Sequence, residues 1–287
     1  MRIAVAGANG FVGRHLTHYL SNQGINVVAL DRRELTMGRL SAAVEGCAAL
    51  VNCAGNKDGR GPDAKDANVL LPLRLLDAAI SRNIPSMVHV SSVAAVTSVT
   101  APGQTVDDGY SGLPTGAYGL SKREGDDALQ QAARQRGFEG LTILRPPILI
   151  GSDAGGVFAL LRSMAKAGVP LPLAGATNRR SFMHVDNFAA TILAAVTARC
   201  DGAYIVTDSP PLSTADLYSQ MLSAAGHGGR IFSVGGPGRA LLRKALGSRG
   251  ESLFGSAAFS GDRFATAACV TWPVPPPTII ERAMRVD

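Results

Sequence analysis

Arg2-Ile3-Ala4-Val5-Ala6-Gly7-Ala8-Asn9-Gly10-Phe11-Val12-Gly13 is the stretch that decides the fold of this chain. Arg2 to Ala6 is a short apolar run without helical period, the pattern of a parallel strand buried on both faces. The glycine-rich segment follows at once. Phe11, Val12, His15, Leu16, Tyr19 and Leu20 then recur at helical spacing, and Gly24 stands where such a helix would end. Strand, glycine turn and helix in this order form the setting in which a backbone receives a pyrophosphate. Gly7 permits the tight turn, Gly10 lets the backbone approach the anion, and Gly13 lets the helix lie close to the strand. The helix N-terminus offers unpaired N–H groups and a partial positive charge.

An ordinary glycine turn has the same outline, and Asp31 separates the two cases. Ile25 to Leu30 reads as the second strand, and Asp31 stands at its C-terminal end, where a carboxylate accepts hydrogen bonds from an adenosine ribose. The loop residues Asn9, Phe11 and Val12 join the three glycines as expected cofactor contacts. Asp31 favours NAD. Arg32 and Arg33 are suited to a 2′-phosphate and keep NADP open.

The rest of the chain continues the alternation. Glu34-Leu35-Thr36 is expected as a short third strand, Leu40 to Val44 as a small helix, and Ala49 to Gly55 as a fourth strand with its exit loop. Cys53, Ala54 and Gly55 should flank the cofactor, since ligands of such sheets lie beyond the carboxyl ends of the strands. A helix over 64–80, a strand over 86–92 and a strand over 141–144, stopped by Pro146 and Pro147, follow. The spacing predicts an α/β fold, a doubly wound parallel sheet of Rossmann type over residues 1–150. A smaller substrate-binding region covers 151–287, with a strand near 203–207 returning to the sheet. Trp272 to Pro277 reads as extended.

Composition limits the alternatives. The 287 residues are 46% hydrophobic and 17% charged, as in a globular protein with buried parallel strands. No apolar run reaches membrane-spanning length, so no membrane partner is expected. A strand begins at residue 2, which leaves no room for a signal peptide and predicts a cytoplasmic protein. Cys47, Cys53, Cys200 and Cys269 lack metal-type spacing, so no metal is expected. The net charge of +6 comes without a long basic run or interleaved aromatics, which argues against nucleic acid and for an anionic small substrate plus surface charge.

Tyr118-Gly119-Leu120-Ser121-Lys122 carries the chemistry. A free tyrosine has a pKa near about 10. A cation four residues on, on the same helix face, stabilises the phenolate, and an oxidised nicotinamide adds a second positive charge. Tyr118 then suits proton exchange with an alcohol or carbonyl oxygen as hydride moves. Ser92, ending a strand, offers a hydroxyl to the reacting oxygen.

Together these motifs resemble the extended short-chain dehydrogenase/reductases, of the nucleotide-sugar epimerase/dehydratase group. The resemblance rests on Gly7 to Gly13, Asp31, Asn52 to Gly55, Asn68-Val69, Ser91-Ser92, Tyr118 to Lys122, Leu144 to Pro147 and Arg180 to Asp186. It implies Ser92, Tyr118 and Lys122 as the catalytic set, and Asn68, Lys122 and Pro146 among the cofactor contacts. Arg180 would contact a substrate diphosphate alongside Ser92 and Tyr118. His184 is read as a packed or capping histidine and Asp186 as a helix N-cap. A homodimer through the Tyr118 helix is also implied. Val93 and Ala94 stand where dehydratases of the group carry Asp-Glu, which excludes dehydration, and Ile148 replaces an Asn expected for a UDP-glucose substrate. The expected function is C4 epimerisation of a nucleotide-activated sugar. The alternatives are an NAD(P)H-dependent 4-keto-sugar reductase and a dinucleotide sensor without turnover.

Overall fold

Five short apolar runs lie side by side and parallel in the computed structural model, which describes residues 1–31, 34–35, 37–247, 250 and 253–285. They are β1 (Arg2–Ala6), β2 (Asn26–Leu30), β3 (Ala49–Asn52), β4 (Met87–Val90) and β5 (Leu141–Arg145). Pro146 and Pro147 end β5 by withholding backbone donors. The chain then enters β6 (Ile148–Ile150), which pairs with β7 (Phe182–His184) in a separate parallel ladder. β8 (Gly202–Ile205) returns to the main sheet beside β5, giving the order β2-β1-β3-β4-β5-β8.

Alternate side chains of each strand serve opposite faces, and both faces are covered. On one side Ile3, Val5, Val51 and Val88 meet Leu16 and Leu20 of α1 (Phe11–Asn22) and Phe188 and Ile192 of a helix over Val185–Ala198. On the other side Leu50, Met87 and Ile143 meet Leu40 of α2 (Met37–Ala43) and, from two longer helices, Leu75, Leu76 and Leu129. Full burial of each such side chain contributes roughly 1.5–3 kcal/mol. The longer helices bear on the site. The first runs from α3 (Gly61–Lys65) through a π-turn (Asp66–Leu70) into α4 (Leu71–Ser81). The second is α5 (Gly116–Gln135), which carries Tyr118 and Lys122.

A separate core forms beyond β6. Phe158 and Leu161 of α6 (Gly156–Lys166) pack with Leu217, Tyr218 and Met221 of the helix over Thr214–Ala224, and with Ile279 and Ile280 near the C-terminus. The Tyr218 hydroxyl donates to the Val169 carbonyl at 2.6 Å. No described helix is long and apolar enough to cross a membrane.

Several expectations are corrected. Glu34 and Leu35 form a turn rather than a strand, because Asp31 and Glu34 close a reciprocal pair of side-chain bonds to each other's backbone N–H. Thr36, Arg32 and Arg33 lie outside the described residues. The strand expected near 203–207 does return to the sheet, beside β5 and over Gly202–Ile205. Residues 276–278 turn into a 3₁₀ helix instead of staying extended. His184, not Asp186, caps the helix over Val185–Ala198, its Nδ1 accepting from the Asp186 N–H at 3.2 Å.

Candidate active site

The glycine segment turns where β1 meets α1. Gly7 sits at φ +77°, and a Cβ there would lie 2.6 Å from the Ala54 nitrogen. A Cβ on Gly13 would lie 2.0 Å from the Gly7 carbonyl oxygen. Backbone on both sides therefore leaves room for hydrogen alone. Gly10 caps α1, whose first turn carries no acidic residue to compete with an anion.

Two clefts open on this turn. One, of about 1330 Å³, is lined by Gly7, Ala8, Asn9, Asp31 and Arg74. The other, of about 610 Å³, contains Phe11, Val12, Ser92, Tyr118, Lys122, Pro146 and Arg180. Gly10, Cys53, Ala54, Gly55 and Asn56 line both and form the neck between them. A cradle that a Cβ would fill, opening on two adjoining clefts past the strand ends, fits a dinucleotide. Gly13 lines neither cleft and acts through helix–strand packing. Asp31 lines the first cleft, although its Oδ1 also accepts from the Glu34 N–H at 2.9 Å.

Asn68 is placed differently from its neighbours in the motif. It is fully buried in the π-turn, accepts from the Asn56 N–H at 2.9 Å, and donates to the Asn56 carbonyl and Ser121 Oγ at 2.9 Å each. Its amide therefore shapes the neck rather than lining it. A π-turn shifts the helical register by one residue, which is how a helix side chain comes to face the strand-end loop.

Ser92 follows β4 and caps a 3₁₀ turn, its Oγ accepting from the Ala94 N–H at 3.1 Å. Tyr118 stands in the first turn of α5 and lines the cleft with Ser92. Burial pushes its phenol above the ordinary value, the Ser92 hydroxyl pulls it back, and the Asp126 carboxylate raises it further. The expected acidifying effect of Lys122 is not what sets the direction here. Lys122 is buried, with Nζ donating to the Val90 carbonyl at 3.0 Å, and burial lowers its pKa while Asp126 and Cys53 raise it. Burial pushes the neighbouring Cys53 thiol up to about 12, so it is a poor nucleophile.

Behind this group lies a buried ion pair. Arg145 Nε donates to Asp126 Oδ2 at 2.9 Å, with Asp126 fully buried. Burial raises the Asp126 pKa, opposed first by Arg145 and then by Ser91 and Lys122. His89 is fully buried beside Asn52, which links its Nδ1 at 3.0 Å and accepts from the Ala54 N–H at 3.0 Å. Burial, then the Lys122 charge, hold that imidazole well below its usual pKa, so it is neutral. Arg180, also buried, donates to the Gly255 carbonyl at 2.9 Å while lining the cleft. Sequence reasoning missed Lys57 at the cleft and the Asp126–Arg145 pair. Lys57 follows Gly55 by two residues, and that distance from a strand end was the available signal.

A second cluster fastens α1 to the far wall. His15 meets Asp186 Oδ1 through Nδ1 at 2.7 Å and Asp153 Oδ1 through Nε2 at 2.9 Å. Arg14 joins Asp153 Oδ2 at 2.9 Å and the Asn9 carbonyl at 2.8 Å. Two carboxylates facing two ring nitrogens require an imidazolium. The Asp186 bond first, then Asp153, raise the His15 pKa against burial. This stabilisation is complete below the ordinary histidine pKa and is lost as pH rises through the raised value. His15→Gln is therefore expected to destabilise the protein most at acidic pH. Its melting temperature should converge on the parent's in alkaline buffer, a trend read by thermal unfolding across pH.

A dinucleotide cradle, a Tyr-Lys pair at its inner end and a doubly wound sheet define an NAD(P)-dependent enzyme of the extended short-chain type. The chain belongs to the NAD-dependent epimerase/dehydratase family, whose model matches residues 3–206. It is 24% identical over 250 residues to a UDP-glucose 4-epimerase of Vibrio cholerae, covering 77% of this chain and 75% of that one. It is 27% identical over 277 residues to 4-hydroxy-2-methyl-3-oxo-4-farnesyl-3,4-dihydroquinoline-1-oxide ketoreductase of Stigmatella aurantiaca, covering 88% and 81%. The crystal structure of UDP-N-acetylglucosamine 4-epimerase from Bacillus cereus superposes with a TM-score of 0.81 at 18% identity, over 99% of this chain and 98% of the other.

Proposed function

We propose that the enzyme moves hydride between bound NAD(P) and C4 of a nucleotide-activated sugar, with Tyr118 as the proton-transfer group, and works as a 4-epimerase. The observation that carries this reading is the convergence of Ser92, Tyr118 and Lys122 on one cleft, next to the neck it shares with the dinucleotide cradle. Lys57, Lys122 and Arg180 line that cleft and no described lining residue is acidic, which suits a phosphate-bearing substrate.

The nicotinamide supplies the hydride acceptor and, when oxidised, a positive charge. Ser92 Oγ orients the reacting oxygen. The Tyr118 oxygen takes the hydroxyl proton as the alcohol is oxidised and returns it when the carbonyl is reduced. Lys122, tied to the Val90 carbonyl, adds the positive field that favours the phenolate once a second cation is near. Arg180 presents its guanidinium to phosphate oxygens.

A one-way ketoreductase is the second reading. The apolar lining from Ile148, Phe158, Leu161 and Leu217, together with the ketoreductase relative, favours it. Denaturing the purified protein and identifying the released nucleotide separates the two. Retained NAD together with interconversion of a UDP-hexose pair supports the epimerase. An empty site together with stoichiometric NAD(P)H oxidation by a keto substrate supports the reductase, and neither activity with any keto or hydroxy sugar nucleotide would remove both.

A further inference from the structure

Beyond β3, the Cys53 N–H still donates to the Ala6 carbonyl of β1 at 2.9 Å. Ala54 supplies the next N–H, and it goes to a side chain, Asn52 Oδ1, at 3.0 Å. A backbone N–H only donates, so the oxygen of the Asn52 amide faces Ala54 and its Nδ2 faces His89. Nδ2 also only donates. His89 Nδ1, 3.0 Å away, therefore accepts, and the neutral ring carries its proton on Nε2. That Nε2 is buried with no hydrogen-bond partner among the described residues. An unpaired buried donor is a cost that a leucine of similar size would not carry, so the imidazole serves the fold through Nδ1. His89 shares its face of β4 with Met87, and Asn52 from β3, Ile143 from β5 and the Lys122 charge from α5 surround it.

The other end of this link is the neck between the clefts. The Ala54 nitrogen abuts the glycine turn, since a Cβ on Gly7 would lie 2.6 Å from it. Gly55 abuts the Tyr-Lys helix, since a Cβ there would lie 3.0 Å from Lys122 Nζ. Both residues line both clefts. We infer that His89 is a positioning residue for the dinucleotide: through the Asn52 amide it holds the Ala54–Gly55 floor of the neck in register with the Gly7 turn on one side and Lys122 on the other. The link works in one protonation state. A proton on Nδ1 would set donor against donor and release the Asn52 amide from Ala54. Burial first, and then the Lys122 charge, keep that proton off.

The inference rests on the dinucleotide site and not on the sugar chemistry, and one of its readouts needs no ligand, so its failure is told apart from a failure of the hydride-transfer reading. Imidazole nitrogen chemical shifts, with the His89 signals identified by their loss in His89→Asn, should show the Nε2–H tautomer. That tautomer should persist at pH values where an ordinary histidine, of pKa about 6.5, is already protonated. The other readout is the dissociation constant of NADH or NADPH, whichever the parent binds more tightly, followed by nucleotide fluorescence. His89→Leu, which fills the space without an acceptor, and His89→Gln, whose amide stands at the ε position, should each weaken binding about tenfold. His89→Asn keeps an oxygen at the δ position and should bind close to the parent, although it leaves the larger cavity. All these variants should lower the melting temperature, so the order of affinities is what tests positioning. An Nδ1–H tautomer, a His89→Leu affinity equal to the parent's, or a His89→Asn affinity no better than that of His89→Gln would each overturn it.

Discussion

Replacing Tyr118 by Phe is expected to lower turnover by about 10²–10⁴-fold, the usual range for removing a positioned acid–base group. The ring stays in the first turn of α5 and loses only its oxygen. Dinucleotide affinity and melting temperature should therefore stay near the parent values, and the loss should fall on kcat. The pH profile provides an independent check. Burial raises the phenol pKa, so oxidation of an alcohol, which needs the phenolate, should accelerate as pH rises toward that value. Reduction of a ketone, which needs the protonated phenol, should decline over the same interval. Single-turnover rates of each half-reaction across pH, substrate oxidation by the oxidised dinucleotide and keto-substrate reduction by the reduced one, test this, and a Phe variant with unaltered turnover would remove Tyr118 from the chemistry.

The largest expected loss of stability comes from Asp126→Ala. Asp126 is fully buried and bonded to Arg145, which is 9% exposed, and its charge also reaches Lys122. Removing the carboxylate leaves two buried cations without their shared counter-charge. Breaking a buried pair on one side costs about 3–5 kcal/mol, or roughly 10 °C in melting temperature for a chain of this size. The Lys122 pKa should also fall, since Asp126 is the first group that holds it up. Asp126→Asn, of the same shape, should retain the packing and lose the charge. Thermal unfolding of both variants distinguishes the two contributions, and an Asp126→Ala protein as stable as the parent would show that the pair contributes little.

The parts of the molecule legible in the sequence are those written in short-range patterns. Gly7 to Gly13 follows a strand and opens a helix, so three neighbouring elements fix its geometry. Tyr118 and Lys122 lie on one helical turn, and periodicity alone sets them on one face. Arrangements that depend on distant partners were not legible. The β6–β7 ladder joins residues more than thirty apart in two three-residue strands, too short for a periodic signal. The turn at Glu34 and Leu35 arises from side chains bonding the backbone, which outweighs their weak strand pattern. Asn68 stood out in the motif, yet its task of holding Asn56 exists only because a π-turn brings the helix to the loop. The reach of Asp126 to Arg145, from α5 to β5, likewise has no trace in local spacing.

The neck shared by the two clefts has a consequence for binding. Gly10 and Cys53 to Asn56 belong to both chambers, so a dinucleotide threaded through them forms part of the floor on which the second ligand rests. Bound there, the dinucleotide would complete the wall of the second chamber, so a ligand of that chamber should bind more tightly to the cofactor-loaded protein than to the empty one.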